Sequence, residues 1–345
     1  MISDVLGTIG NTPLIRMRNI NRHDEGQILL KYERTNPGGS VKDRSAIYMI
    51  DEAERRGLLQ PGGTIIESSS GNFGISLAMI SAARGYHAII LVDPKTTSSN
   101  LALLKCFGAE VIVVTEKDSS GSYHKTRIAL ANKIAQEIPN SFRPDQCFNL
   151  LNSEAHYKST ALEITDECGD SLSAIVASVS TGGQLGGISR KIKETMPDVK
   201  IAAVDAKGSA VFGGDSHYYR IPGVGLGWTP VNLKLDLIDV VYKVSDADAF
   251  ESARAVAQNE GILIGPSGGA CVLAALSIAK TVSPDKYVVC VVPDCGERYV
   301  QTMGSDEWMR KQGFMTSVDA ETLRNMADNL KPWSICPAMT SNCRH

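Results

Sequence analysis

Short runs of β-branched and other apolar residues recur along this chain, and helix-patterned segments separate most of them. The runs are Thr64–Glu67, Ala88–Val92, Val111–Thr115, Ala174–Ser180, Ile201–Asp205 and Tyr287–Val292. The segments between them include Asn72–Arg84, Ser122–Glu137, Ser153–Cys168 and Asp246–Glu260. A strand that is apolar along its whole length is buried on both faces, and a helix between two such strands makes a parallel crossover. The pattern predicts an α/β fold of open, mostly parallel sheets flanked by helices. A gap near Ser141–Phe148 parts the strands into two groups, so two sheets with a cleft between them are expected. At 345 residues the chain is long enough for two domains. In such folds ligands bind where loops leave the carboxyl ends of strands.

Composition removes several function classes. Charged residues are 21% and the net charge is -3, which marks neither a nucleic-acid surface nor a basic membrane patch. No apolar run is long enough to span a bilayer. The N-terminus lacks a basic region followed by an apolar one, so no signal peptide and a cytoplasmic location are expected. The 8 cysteines include no C-x-x-C pair and no His/Cys cluster at zinc spacing, so no metal is expected. Cys106, Cys271 and Cys290 lie in apolar segments and read as small buried hydrophobes. The tail, residues 331–345, reads as peripheral, with Cys336 and Cys343 open to oxidation.

Four loops carry the chemistry. The first is Asn36-Pro37-Gly38-Gly39-Ser40-Val41-Lys42-Asp43-Arg44. Ser40 reads as an N-cap and Asp43 as its capping-box partner, with an apolar face following at Ile47, Ile50 and Ala53. Lys42 then falls in the first turn of a helix, where the dipole disfavours a cation. That placement lowers the lysine pKa, as Schiff-base chemistry requires. The plain alternative is a solvated lysine.

The second loop is Ser68-Ser69-Ser70-Gly71-Asn72-Phe73-Gly74, whose hydroxyls, amide and helix-start N–H groups suit a carboxylate. The third is Ser180-Thr181-Gly182-Gly183-Gln184-Leu185-Gly186-Gly187, followed by the helix Ile188–Glu194. It lacks the Lys-Thr or Lys-Ser of a P-loop. Thr181 stands where a dinucleotide fingerprint needs its first glycine, although Asp205 lies at about the right distance for a ribose partner. A monophosphate cradle fits this loop better. The fourth is Gly265-Pro266-Ser267-Gly268-Gly269-Ala270 before the helix Cys271–Lys280, where Ser267 could be an N-cap. A glycine-bearing stretch, Pro222-Gly223-Val224-Gly225-Leu226-Gly227, reads as a wall or a connection. Each loop alone is compatible with an ordinary capped turn.

In this order the motifs resemble the fold type II pyridoxal-phosphate enzymes, the cysteine synthase and cystathionine β-synthase family. The resemblance runs from Gly10-Asn11-Thr12-Pro13-Leu14 to Pro293-Asp294-Cys295-Gly296-Glu297-Arg298-Tyr299. It implies that pyridoxal 5'-phosphate is the cofactor and that Lys42 carries it as a Schiff base. It implies that Asn72 bonds the ring oxygen, Ser267 faces the pyridine nitrogen, and Ser180, Thr181, Gly182, Gly183 and Gln184 hold the phosphate. Ser69, Ser70, Gly71, Asn72, Phe73 and Gln146 would hold the substrate carboxylate, with Gly223 and Gly225 in the wall. Residues 41–147 would form a smaller mobile domain, and 1–40 plus 148–330 a larger one. Family members are usually homodimers, with no nucleic-acid or membrane partner implied.

A neutral serine at the ring nitrogen disfavours a long-lived carbanion and favours loss of a β-leaving group. The implied reaction is β-replacement on an activated serine through an aminoacrylate, with Lys42 as base and ping-pong kinetics. The chain departs from common cysteine synthases at Phe73, Ser180, Gln184 and Cys147. The segments Val92-Asp93-Pro94-Lys95 and Val204-Asp205-Ala206-Lys207-Gly208-Ser209 resemble N-(2-amino-2-carboxyethyl)-L-glutamate synthases. Those enzymes join O-phospho-L-serine to L-glutamate toward 2,3-diaminopropionate and siderophores. The alternatives are a cysteine synthase using O-acetylserine or O-phosphoserine, a silent regulatory homologue, and a nicotinamide dehydrogenase resting on Asp205 and one imperfect loop.

Overall fold

The computed structural model describes residues 2–118 and 121–334. In chain order the strands are β1 (Leu14–Arg16), β2 (Gln27–Tyr32), β3 (Thr64–Ser68), β4 (His87–Val92), β5 (Glu110–Val113), β6 (Ser141–Phe142), β7 (Leu172–Ser178), β8 (Lys200–Ala206), β9 (Val240–Val244) and β10 (Tyr287–Val292). The helices are α1 (Lys42–Arg55), α2 (Asn72–Arg84), α3 (Ser98–Cys106), α4 (His124–Glu137), α5 (Leu151–Lys158), α6 (Thr160–Cys168), α7 (Gly183–Thr195), α8 (Asp246–Glu260), α9 (Pro266–Ala279), α10 (Asp306–Lys311) and α11 (Ala320–Asn329). Among the described residues no helix is long and apolar enough to cross a membrane.

Two sheets form. One has six strands in the order β1-β2-β10-β7-β8-β9, and the other four in the order β5-β4-β3-β6. Every pairing is parallel except β1 with β2. Alternate residues of a strand point to opposite faces. Val176, Val204, Val288 and Cys290 therefore pack with α8, α9 and α11, while Ile175, Ala203, Val289 and Val291 pack with α6 and α7. The fold is the expected α/β architecture. The four-stranded sheet is drawn from residues 64–142, and the six-stranded sheet from segments on either side of it.

Four strands had no counterpart among the apolar runs, and two of these carry buried lysines. Lys31 in β2 is fully buried and pairs with Glu163 at 2.9 Å and Glu167 at 3.0 Å. Lys243 in β9 donates to Ser209 O at 2.7 Å and lies 4.4 Å from the Trp333 ring. The segment read as one helix, Ser153–Cys168, is two. It breaks at Ser159 (φ -128°, ψ -78°), whose hydroxyl bonds back to Ala155 O at 2.7 Å.

Cys271 and Cys290 are buried, but Cys106 is exposed at the end of α3, where the helix turns its last residue to solvent. The start of the tail is docked rather than peripheral. Trp333 N–H donates to Val241 O at 2.7 Å, and its indole N–H to Phe212 O at 3.2 Å. Cys336 and Cys343 lie outside the described residues.

Candidate active site

Gly39–Val41 runs against the chain leaving β10. Val41 N–H donates to Pro293 O at 2.8 Å, Cys295 N–H donates to Gly39 O at 3.3 Å, and Ser40 pairs with Asp294. The Arg298 guanidinium also donates to Gly38 O. Gly39 takes φ +77° in this clamp, a region open to glycine because it has no Cβ. Lys42 is thereby fixed at the carboxyl end of the six-stranded sheet.

The expected capping box is not there. Ser40 pairs through its backbone with Asp294, its hydroxyl accepts from Lys42 N–H at 3.3 Å, and α1 begins at Lys42 with Val41 as N-cap. Asp43 turns back instead, accepting from Gly38 N–H at 2.6 Å and from the Ser76 hydroxyl at 2.5 Å. It thus ties the lysine loop to α2. Burial pushes the Lys42 ammonium below its ordinary pKa. The direction is the one expected, although burial and not the helix dipole is its main cause. Among the described residues Lys42 forms no ion pair.

The second loop leaves β3 and enters α2. Ser69 Oγ accepts from Gly74 N–H at 3.0 Å, and the N-cap, Gly71, makes no side-chain cap. The first N–H groups of α2 are therefore available to an anion. Ser70 donates to Asp93 Oδ2 at 3.0 Å and accepts from Arg127. Asn72 Nδ2 donates to Asp294 Oδ2 at 2.8 Å. The Phe73 ring is buried in the core of the four-stranded half, so only its main chain belongs to the loop.

The third loop leaves β7 and enters α7 through Gly182, whose φ is +79°. A Cβ on Gly183 would stand 2.0 Å from Asn152 Oδ1. Asn152 Nδ2 donates to Thr181 Oγ1 at 3.0 Å and to Gln146 O at 2.8 Å, joining this loop to the Gln146 segment. Ser180 Oγ reaches Gly225 O at 3.4 Å, and Gly225 N–H donates to Val179 O at 2.7 Å. Lys42, Ser180 to Gln184 and Gly223 line one cleft. Ser267 is not an N-cap: Gly265 caps α9, and Ser267 is buried in its first turn. The third loop thus shares a cleft with Lys42, and Asp294 ties the second and fourth loops to the lysine loop.

Asp205 is committed elsewhere. It is buried, accepts from Ala206 N–H at 2.9 Å and faces Lys243 at 3.9 Å. Being fully buried, it is out of reach of a ribose, which removes the basis of the dehydrogenase alternative.

The family of pyridoxal-phosphate dependent enzymes matches residues 5–294. This chain belongs to that family. It is 44% identical to a probable cysteine synthase of Bacillus subtilis over 307 residues, 88% of this chain and 97% of that one. It is 40% identical to cystathionine beta-synthase of Apis mellifera over 338 residues, 96% of this chain and 67% of that one. It is 36% identical to N-(2-amino-2-carboxyethyl)-L-glutamate synthase of Cupriavidus metallidurans over 313 residues, 90% of this chain and 92% of that one. A crystal structure of O-ureido-L-serine synthase superposes with a TM-score of 0.82 at 32% identity, covering 90% of this chain and 99% of that one. The chain is a pyridoxal-phosphate dependent synthase of the β-replacement type.

The residues present fit the cofactor. Gln184 Nε2 and Asn152 Oδ1 are buried polar atoms without a hydrogen-bond partner, and buried polar atoms are ordinarily satisfied. The glycines of the third loop leave backbone N–H groups open at a helix start, which suits a phosphate. When bound, pyridoxal phosphate supplies the electron sink for chemistry at an amino acid's α- and β-carbons. Lys42 with a lowered pKa supplies an amine that can bond the cofactor and move a proton.

Arg127, Asn152 and Asp294 were not singled out as site residues. Arg127 and Asn152 carry no local sequence signal, because their roles arise from contacts across the fold. Asp294 lies inside the motif Pro293–Tyr299, and a charge at a strand's carboxyl end in an otherwise apolar run was the available sign.

Proposed function

We propose that this enzyme joins O-phospho-L-serine to the amine of L-glutamate, giving N-(2-amino-2-carboxyethyl)-L-glutamate and phosphate. Arg127 carries the reading. It is buried, bonds Ser70 and pairs with Asp93 at 3.1 Å, yet its Nε has no partner. The N-terminus of α2 is enough for one α-carboxylate. Asp93 offsets the Arg127 charge, but the Nε–H left without a partner beside that loop suits a further anionic acceptor, either a phosphate leaving group or a carboxylate of the nucleophile. Sulfide needs no such partner. Ser69 to Phe73 and Gln146 hold the first substrate, Ser180 to Gln184 with Asn72 and Ser267 hold the cofactor, and Lys42 moves the α-proton.

On this reading the protein is a cytoplasmic homodimer supplying 2,3-diaminopropionate chemistry for siderophore assembly. Residues 41–147 close over the substrate. Sulfide addition is the second reading, favoured by the 44% identity to a probable cysteine synthase. A screen of O-phosphoserine and O-acetylserine against glutamate, homocysteine and sulfide decides between them by mass spectrometry of the products. Coupled glutamate product from O-phosphoserine is expected. Efficient cysteine formation with no coupled product would overturn the proposal. Arg127→Ala should raise the KM for phosphoserine or glutamate by roughly tenfold or more, the scale of a charge-assisted hydrogen bond.

A further inference from the structure

Asp294 has no part in the reaction proposed above, yet it sits among the groups that perform it. It ends the run out of β10, is buried, and pairs through its backbone with Ser40, two residues before Lys42. Its Oδ2 accepts from Asn72 Nδ2 at 2.8 Å and from the Tyr299 hydroxyl at 2.5 Å. Its Oδ1 is buried on the side of Ser267, whose hydroxyl also helps to hold the carboxylate. A Cβ on Gly265 would come within 2.1 Å of that Oδ1, so the carboxylate abuts the start of α9, two residues before Ser267.

A carboxamide has two faces of opposite character, and packing alone seldom decides which way it points. A carboxylate does decide it, and although burial raises the Asp294 pKa, the Tyr299, Asn72 and Ser267 donors and the Arg298 charge favour its ionised form. The Asn72 oxygen would be repelled by Asp294, so Nδ2 must face the carboxylate. One N–H of Asn72 is then spent on Asp294, and the second is left to donate in a fixed plane. Tyr299 holds the same Oδ2 from another side, so the carboxylate cannot swing to release Asn72.

We infer that Asp294 is a positioning residue: it sets the flip and plane of the Asn72 carboxamide, so that the free N–H of Asn72 donates to the ring oxygen of the cofactor. The inference rests on Asn72 facing that oxygen. It does not depend on which nucleophile the enzyme uses. A donor held on the ring oxygen favours its anionic form. Loss of the donor favours the neutral hydroxyl form, which absorbs at shorter wavelength.

The test is made on purified protein without substrates. Pyridoxal phosphate is titrated into cofactor-free wild-type, Asp294→Asn, Asn72→Ala and the double variant, and absorption spectra are recorded. Asp294→Asn keeps the shape and removes the charge. It should weaken cofactor binding about tenfold and move the absorbance of the lysine-bound cofactor to shorter wavelength. Asn72→Ala should give the same shift, and adding Asp294→Asn to it should change little more, because Asp294 acts through Asn72. A folded Asp294→Asn protein with wild-type affinity and spectrum overturns the inference. So does a wild-type spectrum in Asn72→Ala, whether or not Asp294→Asn folds. Independent, additive effects of the two substitutions also overturn it. A wild-type chain that bound no cofactor would overturn the site reading itself, and normal cofactor spectra with no glutamate product would overturn only the substrate proposal.

Discussion

Lys42 gains its chemistry from its surroundings. The loop before it is clamped to the chain leaving β10, and Asp43 anchors the same loop to α2. The clamp places the amine in the cleft, and burial lowers its proton affinity. An exposed lysine on the same helix would stay charged at neutral pH. Lys42→Ala should therefore abolish the absorbance of the lysine-bound cofactor and reduce turnover by on the order of a thousandfold. Absorption spectroscopy of the purified variant checks the first, and a product assay the second. Unchanged colour would refute the assignment of the lysine. The Cys147 thiol nearby is pushed up to about 11 by burial, with Glu67 and Asp145 adding to the effect. It stays protonated and does not compete as a nucleophile at neutral pH.

At the scale of elements, the four glycines after Ser180 divide into two jobs. Gly182 and Gly183 shape the loop. Gly186 and Gly187 let α7 close on its neighbours: a Cβ on Gly187 would lie 2.1 Å from Ser153 O, and one on Gly186 would lie 1.9 Å from Asn232 O. Both obstacles are backbone, so the helix itself would have to move. Gly187→Ala should cost roughly 1–3 kcal/mol of stability, as overpacking does, and weaken cofactor binding by shifting the start of α7. Gly71→Ala has open space and should leave the melting temperature near that of wild type. Thermal melts of the two variants make the comparison.

The same element-level view explains what could be read from the chain. β10, β7 and β8 were legible because burial on both faces requires continuous apolar runs. β2 and β9 were not, since Lys31 and Lys243 are buried by partners far away in sequence. The loops of the site were legible through their glycines and hydroxyls. Arg127 and Asn152 were not, since a helix surface pattern does not reveal which polar side chain is buried against Ser70 and Asp93 or against Thr181 and Gln146. The capping box at Ser40 failed because the Asp43 carboxylate is taken by Gly38 N–H and the Ser76 hydroxyl, while the Ser40 hydroxyl accepts only from Lys42 N–H.

Across the whole molecule, buried charges tie the parts together and make stability depend on pH. Arg44 in α1 bonds Glu33 at 2.7 Å and Glu163 at 2.6 Å, and Lys31 in β2 bonds the same Glu163. Although burial opposes ionisation, Arg44 and Lys31 hold Glu163 down to about 2, so its contribution is present above the ordinary carboxylate range and is lost only as the pH falls toward 2. Glu67 at the end of β3 behaves oppositely. Burial raises it to about 7, against the pull of Arg143 at 3.6 Å and the N–H groups of Ser68 and Asp145. A group that holds its proton more tightly when folded stabilises the fold at low pH, and that contribution disappears as the pH rises through the folded value. His156, which burial keeps neutral, has the reverse slope below its ordinary pKa, and burial raises Asp43 and Asp205 to about 6, so the wild-type curve alone mixes several groups, all but Glu67 common to both proteins. Glu67→Gln separates them. Its cost in lost hydrogen bonds is the same at every pH, and the histidine term is common to both proteins. The stability of Glu67→Gln relative to wild type should therefore rise by about 2 kcal/mol between about pH 5.5 and about pH 8. Urea unfolding of both proteins at the two pH values measures that difference. A constant difference would mean that Glu67 is already ionised throughout the range and that Arg143 offsets its burial in full.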